Sequence, residues 1–139
     1  VIGIVIVAHG GLAGEFLASV EHVVGTQPSI TAISIAPECD RSAKQREICA
    51  AADLVDTGSG VVIATDMFGG SPSNLSLAAT CKCDRRIIYG VNLPLLIKLA
   101  KSRHLPIADA VAVSLVAGRK YLDAVYTPQP DLRMVAGQE

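Results

Sequence analysis

Along the chain, short runs of β-branched residues alternate with longer stretches whose apolar positions recur every three or four residues, the signatures of strand and helix. Ile2–Val7 is nearly all β-branched and suits a central strand buried on both faces, broken by His9, Gly10 and Gly11. From Leu12 to Val24, Phe16, Val20 and Val23 fall at helical spacing, and Gly25 supplies a stop. Ile30–Ile35 repeats the strand pattern, and Asp40 can cap a helix running towards Thr57 with Ile48, Ala52 and Val55 on one face. Val61–Thr65 reads as a third strand. Beyond it, Ser71 and Pro72 stand where an N-cap and a first helical residue belong, which predicts a helix from Pro72 to about Cys81. Arg86–Val91 is the fourth strand. Asn92, Leu93 and Pro94 open a helix carrying Leu95, Leu96 and Leu99, and Pro106 begins another with Ile107, Val111 and Leu115.

Such alternation implies an α/β fold: an open, mainly parallel sheet of four strands, joined by right-handed crossovers, with helices on both faces. After Gly118 the pattern weakens. Tyr121–Tyr126 is a candidate fifth edge strand, while Thr127–Glu139 holds two prolines and no apolar period. The expected organisation is one domain over residues 1–126 and a loosely ordered tail over 127–139.

Composition narrows the class. Half of the 139 residues are apolar, only 4% are aromatic and Trp is absent, so Val, Ile, Leu and Ala must fill the core. Twelve basic residues against 13 acidic ones leave a net charge of −1, without the basic field that binds nucleic acid. No apolar run approaches the ~20 residues that span a bilayer. The apolar start, Val1 to Ala8, lacks the basic flank of a signal peptide, so a cytoplasmic protein with no direct membrane insertion is expected. Cys39, Cys49, Cys81 and Cys83 form no paired C-x-x-C units, and free thiols without a metal are the expectation.

In an open parallel sheet, ligands collect outside the carboxyl ends of the strands, near the point where the winding reverses. Three unusual segments belong there: His9-Gly10-Gly11, Asp66 with Gly69, Gly70 and Ser71, and Asn92-Leu93-Pro94. A histidine beside two glycines can be no more than a loop residue, and Asp66 no more than a turn residue. If the first and third strands are neighbours, however, the Asp66 carboxylate can accept the proton of one His9 ring nitrogen and leave the other as a nucleophile. Gly69 and Gly70 allow close backbone approach to a ligand, and the helix starting near Ser71 offers unpaired N–H groups to an anion such as phosphate; a plain turn with a capped helix fits the same residues. The glycines after the first strand, Gly10, Gly11 and Gly14, do not match the dinucleotide fingerprint, and no P-loop lysine is present. His22 and His104 fall away from this edge and read as surface or packing residues.

Taken together, Val5-Ile6-Val7-Ala8-His9-Gly10, Asp66 to Asn74 (DMFGGSPSN) and Val91-Asn92-Leu93-Pro94-Leu95-Leu96 resemble the IIA family of the mannose, fructose and sorbose phosphotransferase systems, from Ile2 to about Gly118. The resemblance implies a phosphotransferase: His9 takes a phosphoryl group from the histidine phosphocarrier protein HPr and passes it to a IIB component. It implies that Asp66 orients His9, that Gly10, Gly69, Gly70 and Ser71 lie around the phosphoryl group, and that no cofactor is needed. It also implies a homodimer in which a strand within Arg119–Tyr126 completes the partner's sheet. The length is near that of a IIA unit, and no fused IIB domain is expected within it. Three other readings share the residues: a phosphoryl donor for a dihydroxyacetone kinase, a regulatory protein whose phosphorylation state is read by a partner, and a flavodoxin-like small-molecule module.

Overall fold

The computed structural model describes residues 1–67, 70–77, 79 and 84–126. Its elements run β1 (Gly3–His9), α1 (Leu12–Val24), β2 (Ile30–Ile35), α2 (Arg41–Val55), β3 (Val61–Thr65), α3 (Ser71–Ser76), β4 (Arg85–Ile88), α4 (Leu93–Lys101) and α5 (Ile107–Lys120). The four strands form one parallel sheet in the order β2-β1-β3-β4. The chain winds from β1 out to β2, returns past β1 to β3 and continues to β4. Its winding therefore reverses between β1 and β3, at the centre of the sheet.

Strand residues alternate between two apolar layers. Ile4, Ile6 and Ala8 of β1, with Val62 and Ala64 of β3, pack under α1, α4 and α5 through Val20, Leu95, Leu96, Leu99 and Ile107. Val5 and Val7, with Val61 and Ile63, face α2 and α3 through Ile48, Ala52, Val55 and Leu75. The period of two in β1 and β3 explains why both read as unbroken apolar runs: each face meets its own helix layer. Gly3 is required by this closeness, since a Cβ there would stand 2.3 Å from the Val55 carbonyl oxygen.

Two arginines tie the layers together. Arg85 donates to Asp53 Oδ1 at 2.8 Å and Asp56 Oδ2 at 3.3 Å, joining β4 to the end of α2. Burial pushes its guanidinium downward, and these two carboxylates more than reverse the effect. Arg103, buried after α4, donates from Nε to the Ile2 carbonyl at 2.7 Å and from Nη2 to the Ser29 carbonyl at 3.0 Å.

Several expectations shift by a few residues. β1 runs on to His9, which pairs in register with Ile35, and Gly10 turns out of the strand at φ +55° while donating to the Ile35 carbonyl. On α1 the buried face is Ala13 and Val20, with Leu17 and Val24 packed beside them, whereas Val23 is exposed. β4 ends at Ile88 because Gly90, at φ +66°, turns the chain before Val91 donates to the Thr65 carbonyl. Asp40 caps α2 as expected, accepting from the Ala43 N–H. The cap of α3 is Gly70 rather than Ser71: its carbonyl accepts from Asn74 N–H, and Ser71 and Pro72 already lie inside the helix. Of the predicted continuation to Cys81, positions 78, 80 and 81 lie outside the described residues, as do Cys83 and the tail over 127–139. Residues 121–126 join no strand of the single chain.

Candidate functional site

Because β1 and β3 are hydrogen-bonded neighbours, with Val7 opposite Thr65, the next residues of both strands emerge side by side at the carboxyl end of the sheet. There, one Asp66 oxygen serves two donors. Oδ2 accepts the His9 backbone N–H at 3.0 Å and lies 2.8 Å from His9 Nδ1. Asp66 is 12% exposed and His9 48%, so the carboxylate is sheltered while the ring reaches solvent. Burial pushes the Asp66 carboxyl upward, but the hydrogen bonds from the His9 backbone and ring prevail and hold it below the usual carboxylate value. Asp66 is thus ionised at neutral pH. An ionised acceptor fixes the proton on Nδ1 and leaves the lone pair of the neutral ring on Nε2.

Gly70 lies under the imidazole. A Cβ at that position would sit 3.2 Å from His9 Cε1, closer than side chains normally approach. Ser71 follows at the start of α3 and lines the cleft beside the ring. His9, Gly10 and Ser71 line a cleft of about 360 Å³, whose opposite wall is the β2–α2 connection with Pro37, Cys39 and Arg41.

The structure therefore brings together His9, Asp66, Gly10, Gly70 and Ser71; Gly69 lies outside the described residues. The third expected loop is not part of the cleft wall. Asn92 is engaged elsewhere, accepting from Leu95 N–H and donating to the Gly118 carbonyl, which fixes α4 and α5 together. The β2–α2 connection takes its place, and sequence reading passed over it. The available signal was topological: β2 flanks β1, so the residues that follow β2 must emerge beside His9. His22 and His104 are both exposed and lie outside the cleft.

Fold and site together define a doubly wound α/β domain with a histidine–aspartate pair at its switch point. Residues 3–116 match the family model EIIA-man, described as the PTS system fructose IIA component, and the chain belongs to that family. It is 30% identical over 127 residues to the mannose-specific EIIAB component of the phosphotransferase system of Escherichia coli strain K12. That match covers 89% of this chain but only 39% of the relative. Among solved structures, the mannose/sorbose-specific IIA subunit from Enterococcus faecalis superposes with a TM-score of 0.81 at 23% identity, covering 94% of this chain and 98% of that one. A IIA protein associated with the fucose utilisation operon of Streptococcus pneumoniae gives a TM-score of 0.72 at 26% identity, with coverages of 82% and 88%.

Proposed function

We propose that this chain is a phosphocarrier that receives a phosphoryl group from HPr on His9 Nε2 and delivers it to a IIB component in sugar uptake. The observation that carries this reading is the double use of Asp66 Oδ2, which anchors both the backbone and the ring of His9 and keeps Nε2 nucleophilic. The Nε2 lone pair forms the new N–P bond as the donor's N–P bond breaks, its electron pair returning to the donor nitrogen. The His9 ring, then substituted on both nitrogens, becomes cationic, and the adjacent carboxylate stabilises it. Gly10, Gly70 and Ser71 surround the phosphoryl oxygens, the glycines by admitting them close to the backbone and Ser71 through its hydroxyl. Little further machinery is needed, because phosphoryl transfer depends mainly on positioning and charge.

The functional unit spans residues 1–126 and acts in the cytoplasm; among the described residues no helix is long and apolar enough to cross a membrane. It works as a homodimer in which residues 121–126 extend the partner's sheet along the open edge of β4, a surface that otherwise leaves backbone groups unpaired. Sedimentation should give a dimer with or without reductant, and a monomer refutes this part.

Phosphorylation by phosphoenolpyruvate is the decisive assay. Label should appear only when enzyme I and HPr are both supplied, be lost in acid and kept in alkali, pass on to a cognate IIB protein, and vanish in His9→Ala. An acid-stable adduct, or labelling from ATP by this protein alone, overturns the reading.

A further inference from the structure

Arg41 supplies charge to a cleft that otherwise accumulates anions. It lines the same cavity as His9, Gly10 and Ser71, and it approaches from the wall opposite Asp66's strand. It is exposed and forms no ion pair with a carboxylate among the described residues. Arg41 is the first residue of α2, where the helix dipole favours an acid, and the first turn of that helix contains none. A residue that works against its own helix and faces the reactive histidine is better explained by what enters the cleft.

We propose that Arg41 is a phosphoryl-binding residue, whose guanidinium meets the phosphoryl oxygens on His9 Nε2 from the side opposite Asp66. This rests on the phosphocarrier reading and extends it to a residue contributed by the β2–α2 connection. Once His9 is phosphorylated, the cleft holds a dianionic phosphoryl group beside the Asp66 carboxylate, against one positive charge on the ring. The planar fork of an arginine can bind two of those oxygens at once, which a lysine ammonium cannot do. Because the same charge is attractive as the phosphoryl group arrives and as it is held, the residue should act on transfer in both directions.

The test uses Arg41→Gln and Arg41→Lys in the full chain, with two phosphoryl donors: phospho-HPr and the small molecule phosphoramidate. Loss of one charge-assisted contact should lower kcat/KM roughly tenfold with both donors, with Lys recovering part of it. In the phosphorylated protein, the second ionisation of the phosphoryl group, followed by ³¹P NMR, should move to higher pH in Arg41→Gln. The melting temperature of that variant should be unchanged or higher, since an unfavourable charge has left the start of α2. A normal phosphoramidate rate with a raised KM for phospho-HPr means that Arg41 reads the donor protein instead, and overturns the proposal. So does an unaltered phosphorus titration, or a lowered melting temperature that accounts for the lost activity. His9→Ala separates the two levels. Label that survives in His9→Ala sinks the phosphocarrier reading itself, whereas label lost there but retained at full rate in Arg41→Gln sinks only the role of Arg41.

Discussion

Replacing Asp66 by asparagine conserves shape and removes one charge, and the structure fixes how the amide must orient. The oxygen in the Oδ2 position receives two donors, the His9 backbone N–H at 3.0 Å and the ring at 2.8 Å. Turning the amide so that its NH₂ faces His9 would set a donor against the backbone N–H, which cannot move without breaking the end of β1. The asparagine oxygen therefore stays in place, the ring keeps its proton on Nδ1, and the NH₂ takes the position of Oδ1, buried and without a hydrogen-bond partner among the described residues. What is lost is charge. A hydrogen bond to a charged group contributes about 1.5–3 kcal/mol and a neutral one about 0.5–1.5, so the deficit is about 1–1.5 kcal/mol. That corresponds to a roughly tenfold slower transfer. A flipped tautomer would instead cost on the order of 10⁴-fold. Rapid-quench measurement of transfer from phospho-HPr, with ¹⁵N NMR of the His9 ring, distinguishes the two. A thousandfold loss accompanied by a proton on Nε2 would refute the argument that the backbone amide sets the tautomer, and an unchanged rate would refute the importance of the charge.

Gly70→Ala should leave the fold intact but slow transfer severalfold, because its Cβ would press the His9 ring from 3.2 Å, and a displacement of about 1 Å can cost ~100-fold; an unaltered rate counts against that contact. Gly3→Ala should destabilise by about 1–3 kcal/mol, since the clash is with the Val55 backbone rather than a flexible side chain; a shift in urea midpoint at constant m-value checks it. Asp66 and Asp56 both have folded-state values held below 3.8, Asp56 by the Gly58 N–H and Arg85 against its desolvation. Their stabilisation is complete above about pH 5 and declines as pH falls through about 4 and below. Urea titrations across that range should show a shallower acid loss in Asp66→Asn than in the parent protein.

Sequence reading succeeded where local chemistry and period agree. Ile48, Ala52 and Val55 form the buried face of α2, and Asp40 caps it, because a helix packed on a sheet shows one stripe and one cap irrespective of the rest of the molecule. The encounter of His9 with Asp66 was legible only as a condition on strand adjacency, which the register of β1 with β3 satisfies. Ser71 was read as the cap of α3 because serine commonly takes that place, yet Gly70 already has the extended backbone the position needs. Val23 and Val24 could not be told apart by type, since one residue of rotation decides which valine meets the core. Arg41 was missed for a different reason. It belongs to no motif, and its nearness to His9 comes entirely from β2 lying beside β1.

Arg103 also sets the order in which the molecule can be completed during synthesis. Its guanidinium reaches back 101 positions to the Ile2 carbonyl and 74 to that of Ser29, and its own carbonyl accepts the Ile2 N–H at 3.0 Å. At 5–20 residues per second, a ribosome needs roughly 4–15 s to travel from Ser29 to Arg103. Throughout that interval the Ile2 and Ser29 carbonyls lack this partner, although Ile2 leads into the strand on which β2 and β3 are laid. The edge of β1 nearest Ile2 is therefore closed by a residue that follows all four described strands in the chain.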